Sequence, residues 1–91
     1  MAKYKLTKNT VDKFGKILYQ IQATKSFSNI EKGELGGYIE STKNLSQEGN
    51  AWVYGNAYVG GGAYVGGNAY VGGNAYVGGD AYVGGGAYVG G

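Results

Sequence analysis

The sequence predicts an all-β chain: a triangular parallel solenoid with eighteen residues to a coil, behind an N-terminal β-hairpin-like cap. Three observations predict it. A six-residue phrase, AYVGGN, recurs with its Ala position at residues 51, 57, 63, 69, 75, 81 and 87, and the position two later is Val in every copy from Val53 to Val89. Within each copy an extended backbone turns Ala and Val to one face and Tyr to the other. Tyr and Val favour that extended state, while the Gly-Gly pair and the Asn, Asp or Gly behind it tolerate positive φ and make corners. No segment shows a convincing helical period. Each phrase is therefore one short strand plus one corner, the unit that wraps into coils whose neighbours pair as parallel strands.

Residues 1–32 form the cap. The stretch KILYQIQA, Lys16 to Ala23, places Ile17, Tyr19 and Ile21 on one face. Phe14-Gly15 before it is a turn signal, so a hairpin is expected with either Val11 to Lys13 or Tyr4 to Thr7. Phe27 and Ile30 are the candidates to seal the first coil, because a solenoid end needs a unit that hides its core and its strand edge.

Residues 33–91 form the repeat region, with a degenerate first coil (33–50) and regular repeats (51–91). Carrying the frame backward gives GELGGY, IESTKN and LSQEGN, with Leu35, Ile39 and Leu45 in inward slots. Three hexapeptides close a coil, so residues eighteen apart stack at about 4.8 Å. The inward columns are Val53, Val71 and Val89; Val59 and Val77; Val65 and Val83, and the Ala columns follow the same rule. Outward stand Trp52, Tyr70 and Tyr88; Tyr58 and Tyr76; Tyr64 and Tyr82. At the corners, amide ladders are expected between Asn50 and Asn68 and between Asn56 and Asn74.

Written as V-G-G-N-A-Y, each full copy fits the order aliphatic, small or acidic, two free positions, small, free. On these residues the chain resembles the left-handed parallel β-helix proteins with hexapeptide repeats. More locally it is similar to small phage and prophage proteins, in which a lead-in like KGELGGYIES and NLSQEGNAWVYGNA runs into GNAxV repeats. The left hand is what the resemblance implies, since six-residue sides fit a coil of either hand. The chain departs from the family in two slots. Between Ala and Val it has Tyr in every copy after Trp52, and after Val it has Gly in every copy after Tyr54. Such uniformity reads as a consensus design or a recent repeat expansion on a natural-looking cap. Many relatives in that fold are acyltransferases or carbonic anhydrases, activities that lean on histidine as general base or zinc ligand. This chain has no histidine.

Composition narrows function further. At 91 residues the chain is one small domain, whose compact core alone would leave it marginal. It has no cysteine, so neither disulfides nor thiolate metal sites add stability, and a reduced, cytoplasmic setting is expected. No run approaches the roughly 18 apolar residues of a membrane span, so no membrane partner is expected. All eight lysines lie at or before Lys43, and Asp80 is the one formal side-chain charge from Asn50 onward. A surface without Lys or Arg is a poor nucleic-acid partner. The many glycines lack the following helix and the Gly-Lys-Ser/Thr of a phosphate loop, and Glu31, Glu34, Glu40 and Glu48 read as solvated surface. No enzyme activity and no cofactor are expected.

The expected function is a non-catalytic structural module that associates end to end through its uncapped last coil, at Ala87, Tyr88 and Val89. A two-fold dimer closes such contacts, and a filament is the open alternative. The other reading is a phage-encoded protein-binding module acting through the Lys-bearing cap or the Tyr-lined faces. For the tyrosine columns themselves, two roles stand open: shielding the strand ladder, or offering a platform to sugars, dyes or another protein.

Overall fold

Tyr4, Leu6 and Val11 set among polar residues, with no glycine or proline, let Tyr4–Lys13 (β1) run as one long strand. It pairs antiparallel with Lys16–Ala23 (β2) from Tyr4↔Ala23 to Lys13↔Lys16, with a register shift between Leu6 and Thr10. Both expected hairpin partners are thus parts of a single strand. The computed structural model describes residues 2–13 and 15–90. Gly15 takes positive φ at the hairpin tip, and Phe14 of the turn signal lies outside the described residues, as does Gly91.

The described residues are all-β apart from one 3-10 turn, Thr42–Asn44. After β2 come Leu35–Ile39 (β3) and seven two-residue strands: Trp52–Val53 (β4), Tyr58–Val59 (β5), Tyr64–Val65 (β6), Tyr70–Val71 (β7), Tyr76–Val77 (β8), Tyr82–Val83 (β9) and Tyr88–Val89 (β10). They form three sheets, ordered β1-β2-β3-β5-β8, β4-β7-β10 and β6-β9. Within the regular repeats all pairing is parallel and joins residues eighteen apart, such as Val53↔Val71, Val59↔Val77 and Val65↔Val83. Backbone bonds of 2.8–3.1 Å continue between the strands and through the corners, from Trp52 N to Ala69 O and from Asn56 N to Gly73 O among others.

A uniform turn makes each corner. Ala63 N, for example, donates to Gly60 O across Gly61 and Gly62. Only the second glycine of each pair takes positive φ, at 61–69° from Gly55 to Gly85, the signature of a II′ turn with Gly at its first central position. Corner stacks on corner so closely that a Cβ on Gly49 would sit 2.6 Å from Gly67 O. The expected amide ladders are absent among the described residues. The backbone N–H of Asn50 and of Asn56 bonds to the rung above instead, and the asparagine side chains of the regular corners bond no neighbour of their column.

In four of the six copies that carry it, the glycine after Val has a separate cause. A Cβ there would meet a tyrosine ring at 2.5–3.0 Å at Gly66, Gly78, Gly84 and Gly90, where Tyr64, Tyr76, Tyr82 and Tyr88 respectively lie across the glycine two residues on. In these four copies the ring folds onto its own strand, covering backbone that a larger residue would push it off; Gly72 instead lies under the ring of Tyr54, and Gly60 beside Leu18 and Glu40.

Inside the stacks, Val53, Val59, Val65 and Val71 are fully buried with Ala51, Ala57, Ala63 and Ala69, and Val77 and Val83 remain buried. Val89 is half-buried, because no described strand lies beyond β10. One inward assignment, Leu35, needs correction, and two others differ in register. Ile39 and Leu45 are fully buried, yet they sit beside Val59 and Val65, twenty residues on rather than eighteen. The two extra residues fall between Leu45 and Val53, where Gln47 turns to the N-terminal strand: its Oε1 accepts from Lys3 N at 2.8 Å. Leu35, expected inward, is 49% exposed. Tyr19↔Ile39 and Gln20↔Tyr38 are followed by Gln22↔Leu35, so Gly36–Gly37 forms a bulge, and a one-residue slip turns side chains to the opposite face. Both register shifts of β2 straddle Gln20 to Ile21. Hence β2 buries Leu18 and Ile21 while Ile17, expected on the Ile21 face, is exposed.

Candidate functional site

The upper rim of the three stacks is formed by β8, β9 and β10. Among the described residues no strand pairs with their far sides. In parallel pairing here the lower strand donates N–H to the upper strand's carbonyls, as Tyr70 N does to Ala87 O and Gly72 N to Val89 O. Because each rung of a parallel ladder both donates and accepts, the rim leaves N–H and C=O groups together unpaired among the described residues, including those of Tyr88 and the N–H of Gly90. Ala87 and Tyr88 are exposed and Val89 half-exposed, so the residues named for self-association lie together on this rim.

The outer columns stack by register but differ in surroundings. Tyr64 and Tyr82 are stacked at 5.4 Å between centroids and 13°, and Tyr82 is 68% exposed. Tyr58 lies tilted by 34° against Tyr38 below it, centroids 5.5 Å apart, and takes Lys13 Nζ over its ring at 5.4 Å. Tyr76 is exposed and Tyr70 half-buried. Trp52 needs correction: expected outward, it is completely buried. It does occupy its column, opposite Tyr70, but the cap closes over it, with Phe27 edge-on at 5.4 Å and Tyr4 edge-on at 6.5 Å. Two aromatic contacts and full burial make it the anchor of the cap, although its indole N–H has no hydrogen-bond partner.

Several residues that hold this arrangement were not singled out in the sequence. Lys3 is buried, and its Nζ donates to the carbonyls of Glu48 (3.3 Å), Gly49 (3.2 Å) and Ala51 (2.6 Å), over the Phe27 ring. Burial, with Lys25 nearby, lowers its pKa to about 8. Tyr4 donates its hydroxyl to Leu45 O, and burial raises its pKa. Asn44 is buried with four bonds: Nδ2 to Gly61 O and Ala63 O, and Oδ1 from Glu40 N and Ser41 N. It is the first-turn copy of the repeated corner asparagine, which was its one visible signal. Tyr54, standing where every later copy has Gly, donates its hydroxyl to Tyr88 at 2.6 Å across a stacked pair. That bond, more than burial, pushes the Tyr54 pKa up to about 12.

The lysines and glutamates of the cap are partly committed. Lys16 pairs with Glu40 at 3.8 Å, and Glu40 Oε1 also accepts from Gly61 N at 2.6 Å. With Lys13 over Tyr58 and Lys3 bonded to three carbonyls, three of the cap's basic groups are engaged within the chain. Among the described residues, no cluster of His, Cys, Asp and Glu could hold a metal ion, and no helix is long and apolar enough to cross a membrane. No protein-family model matches the chain, and no curated protein matches it at a significant level.

Proposed function

We propose that the repeat region is a left-handed parallel β-helix serving as a non-catalytic structural module, which associates end to end through the rim of β8, β9 and β10. One observation carries this reading: the valine core runs undiminished from Val53 to Val71 and then opens, with Val77 6% exposed, Val83 9% exposed, and Val89 half-exposed at the rim. Open strand edges over an exposed core end are templates for another chain. A second copy supplies matching geometry, since its own rim carries the same spacing and the same side chains. Two-fold pairing of rims is isologous and closes, giving a dimer. A single chain measures 32 × 28 × 22 Å and is no rod, so elongation comes from association.

Light scattering across the micromolar range tests this. The intact chain should give a dimer mass, and Ala87→Lys with Val89→Lys, which place charges on the rim without removing any rung beneath, should give the monomer with unchanged far-UV circular dichroism. A monomeric intact chain at these concentrations refutes the reading.

A further inference from the structure

The one repeat copy that breaks its own rule stands beside the one strained loop. Tyr54 occupies the slot that is Gly in each later copy, and Ser28, at φ 49°, is the sole non-glycine residue with positive φ among the described residues. A strained backbone of this kind persists where the surroundings over-determine it. Between the two lies a groove of about 280 Å³ lined by Asn29, Ile30, Glu34, Tyr54 and Tyr70.

Each functional wall of the groove is held from outside it. The Tyr54 hydroxyl is bonded to Tyr88 at 2.6 Å, the Tyr70 hydroxyl to Ser28 Oγ at 3.0 Å, and Glu34 Oε1 accepts from Glu31 N at 3.1 Å. The two rings meet at 75° with centroids 6.4 Å apart, forming an aromatic corner, and buried Ile30 adds an apolar surface. Glu34 forms no ion pair among the described residues, and no basic side chain lines the groove. Such walls suit one chemistry. Aromatic faces attract a cation within about 6 Å of the ring centre, and an unneutralised carboxylate adds to that attraction. A saccharide is a poorer fit, because both tyrosine hydroxyls are already engaged and Asn29 is left as the one lining side chain with amide N–H donors.

We propose that this groove is a binding site for a small organic cation, an alkylammonium head group seated in the Tyr54–Tyr70 corner against Glu34. The volume admits a compact head group and little more. Holding rings and carboxylate in place beforehand lowers the ordering cost of binding, but a half-open groove keeps the affinity modest, with Kd on the order of 1 mM.

The test is a titration of choline into the ¹⁵N-labelled full chain, beside its neutral isostere 3,3-dimethylbutan-1-ol and beside cellobiose. Choline should produce saturable shifts at amides of residues 28–34, 54 and 70, while the isostere binds at least about tenfold more weakly. Glu34→Gln should weaken choline by about tenfold, and Tyr54→Gly, which installs the residue used in every later copy, should abolish saturation with the rest of the spectrum retained. Equal binding of the neutral isostere, saturation by cellobiose alone, no saturation by choline, or choline binding unchanged in Tyr54→Gly would each overturn the proposal. Should Tyr54→Gly disturb the fold, the Glu34→Gln comparison and the isostere decide.

Discussion

Lys3 gives the chain an unusual dependence of stability on alkaline pH. Its ammonium is buried against three carbonyls under the first rung, and its pKa falls from 10.5 to about 8. A base whose folded pKa is depressed binds its proton less well in the folded chain than in the unfolded one. Stability is then gained as pH rises from about 8 to 10.5 and lost again as pH falls back through 8; below that, both states are protonated and the dependence ends. A shift of this size at about 1.36 kcal/mol per unit is at most on the order of 3 kcal/mol, and screening by solvent at the ammonium brings it lower. The three carbonyl acceptors favour the ammonium, so that figure is an upper bound. Tyr4 and Tyr54 act in the opposite sense, since their raised pKa values make the unfolded chain deprotonate first, and stability falls as pH climbs past about 10. The clean window is therefore about pH 8 to 9.5, flanked by these titrations. Urea unfolding followed by fluorescence of Trp52, the sole and fully buried tryptophan, should show the wild-type midpoint rising through this window. Lys3→Met, which removes the titrating group but keeps its aliphatic length, should show no rise there. A flat wild-type profile, or the same rise in Lys3→Met, refutes the assignment.

Two more predictions follow from packing. Gly36→Ala and Gly66→Ala should differ sharply: a Cβ at Gly36 meets Val53 O at 2.5 Å, with Ile21 and Trp52 within 2.9 Å, whereas the nearest atoms to one at Gly66 all belong to the ring and hydroxyl of Tyr64, which can swing outward. Thermal unfolding should place Gly36→Ala about 3 kcal/mol or more below wild type and Gly66→Ala within about 1 kcal/mol of it; similar losses in both would mean the tyrosine rings are not free to move. Along the valine columns, Val59→Ala, fully buried, should cost about 2 kcal/mol, and Val89→Ala, at the rim, less than about 0.5 kcal/mol in the monomeric state. If equilibrium unfolding finds equal costs, something covers β10.

Much of the strand pattern was legible because its signal is repeated. Val at each sixth residue from Val53 to Val89, with a glycine corner between, leaves few alternatives, and the eighteen-residue pairing of β4 with β7 and β5 with β8 has the period expected. Legibility failed where the period weakens. Leu35 carried the right apolarity in the wrong phase, since the bulge at Gly36–Gly37 is set by pairing with β2. Trp52 carried the right column and the wrong environment, since its cover comes from Phe27 and Tyr4. The groove was invisible for the same reason, although Tyr54 marked it as an interruption in the repeat.

By itself the sequence determined the short strands and corners of the array and the inward place of its valines, because every copy meets the same neighbours eighteen residues away and local preference and stacking ask for the same conformation. Only the tertiary structure decided the twenty-residue first step, the burial of Trp52 and Lys3, and the tyrosine corner beside Glu34. Each depends on an aperiodic segment folding onto residues tens of positions distant, where side-chain fit and hydrogen bonding, and not any repeated pattern, select the partner.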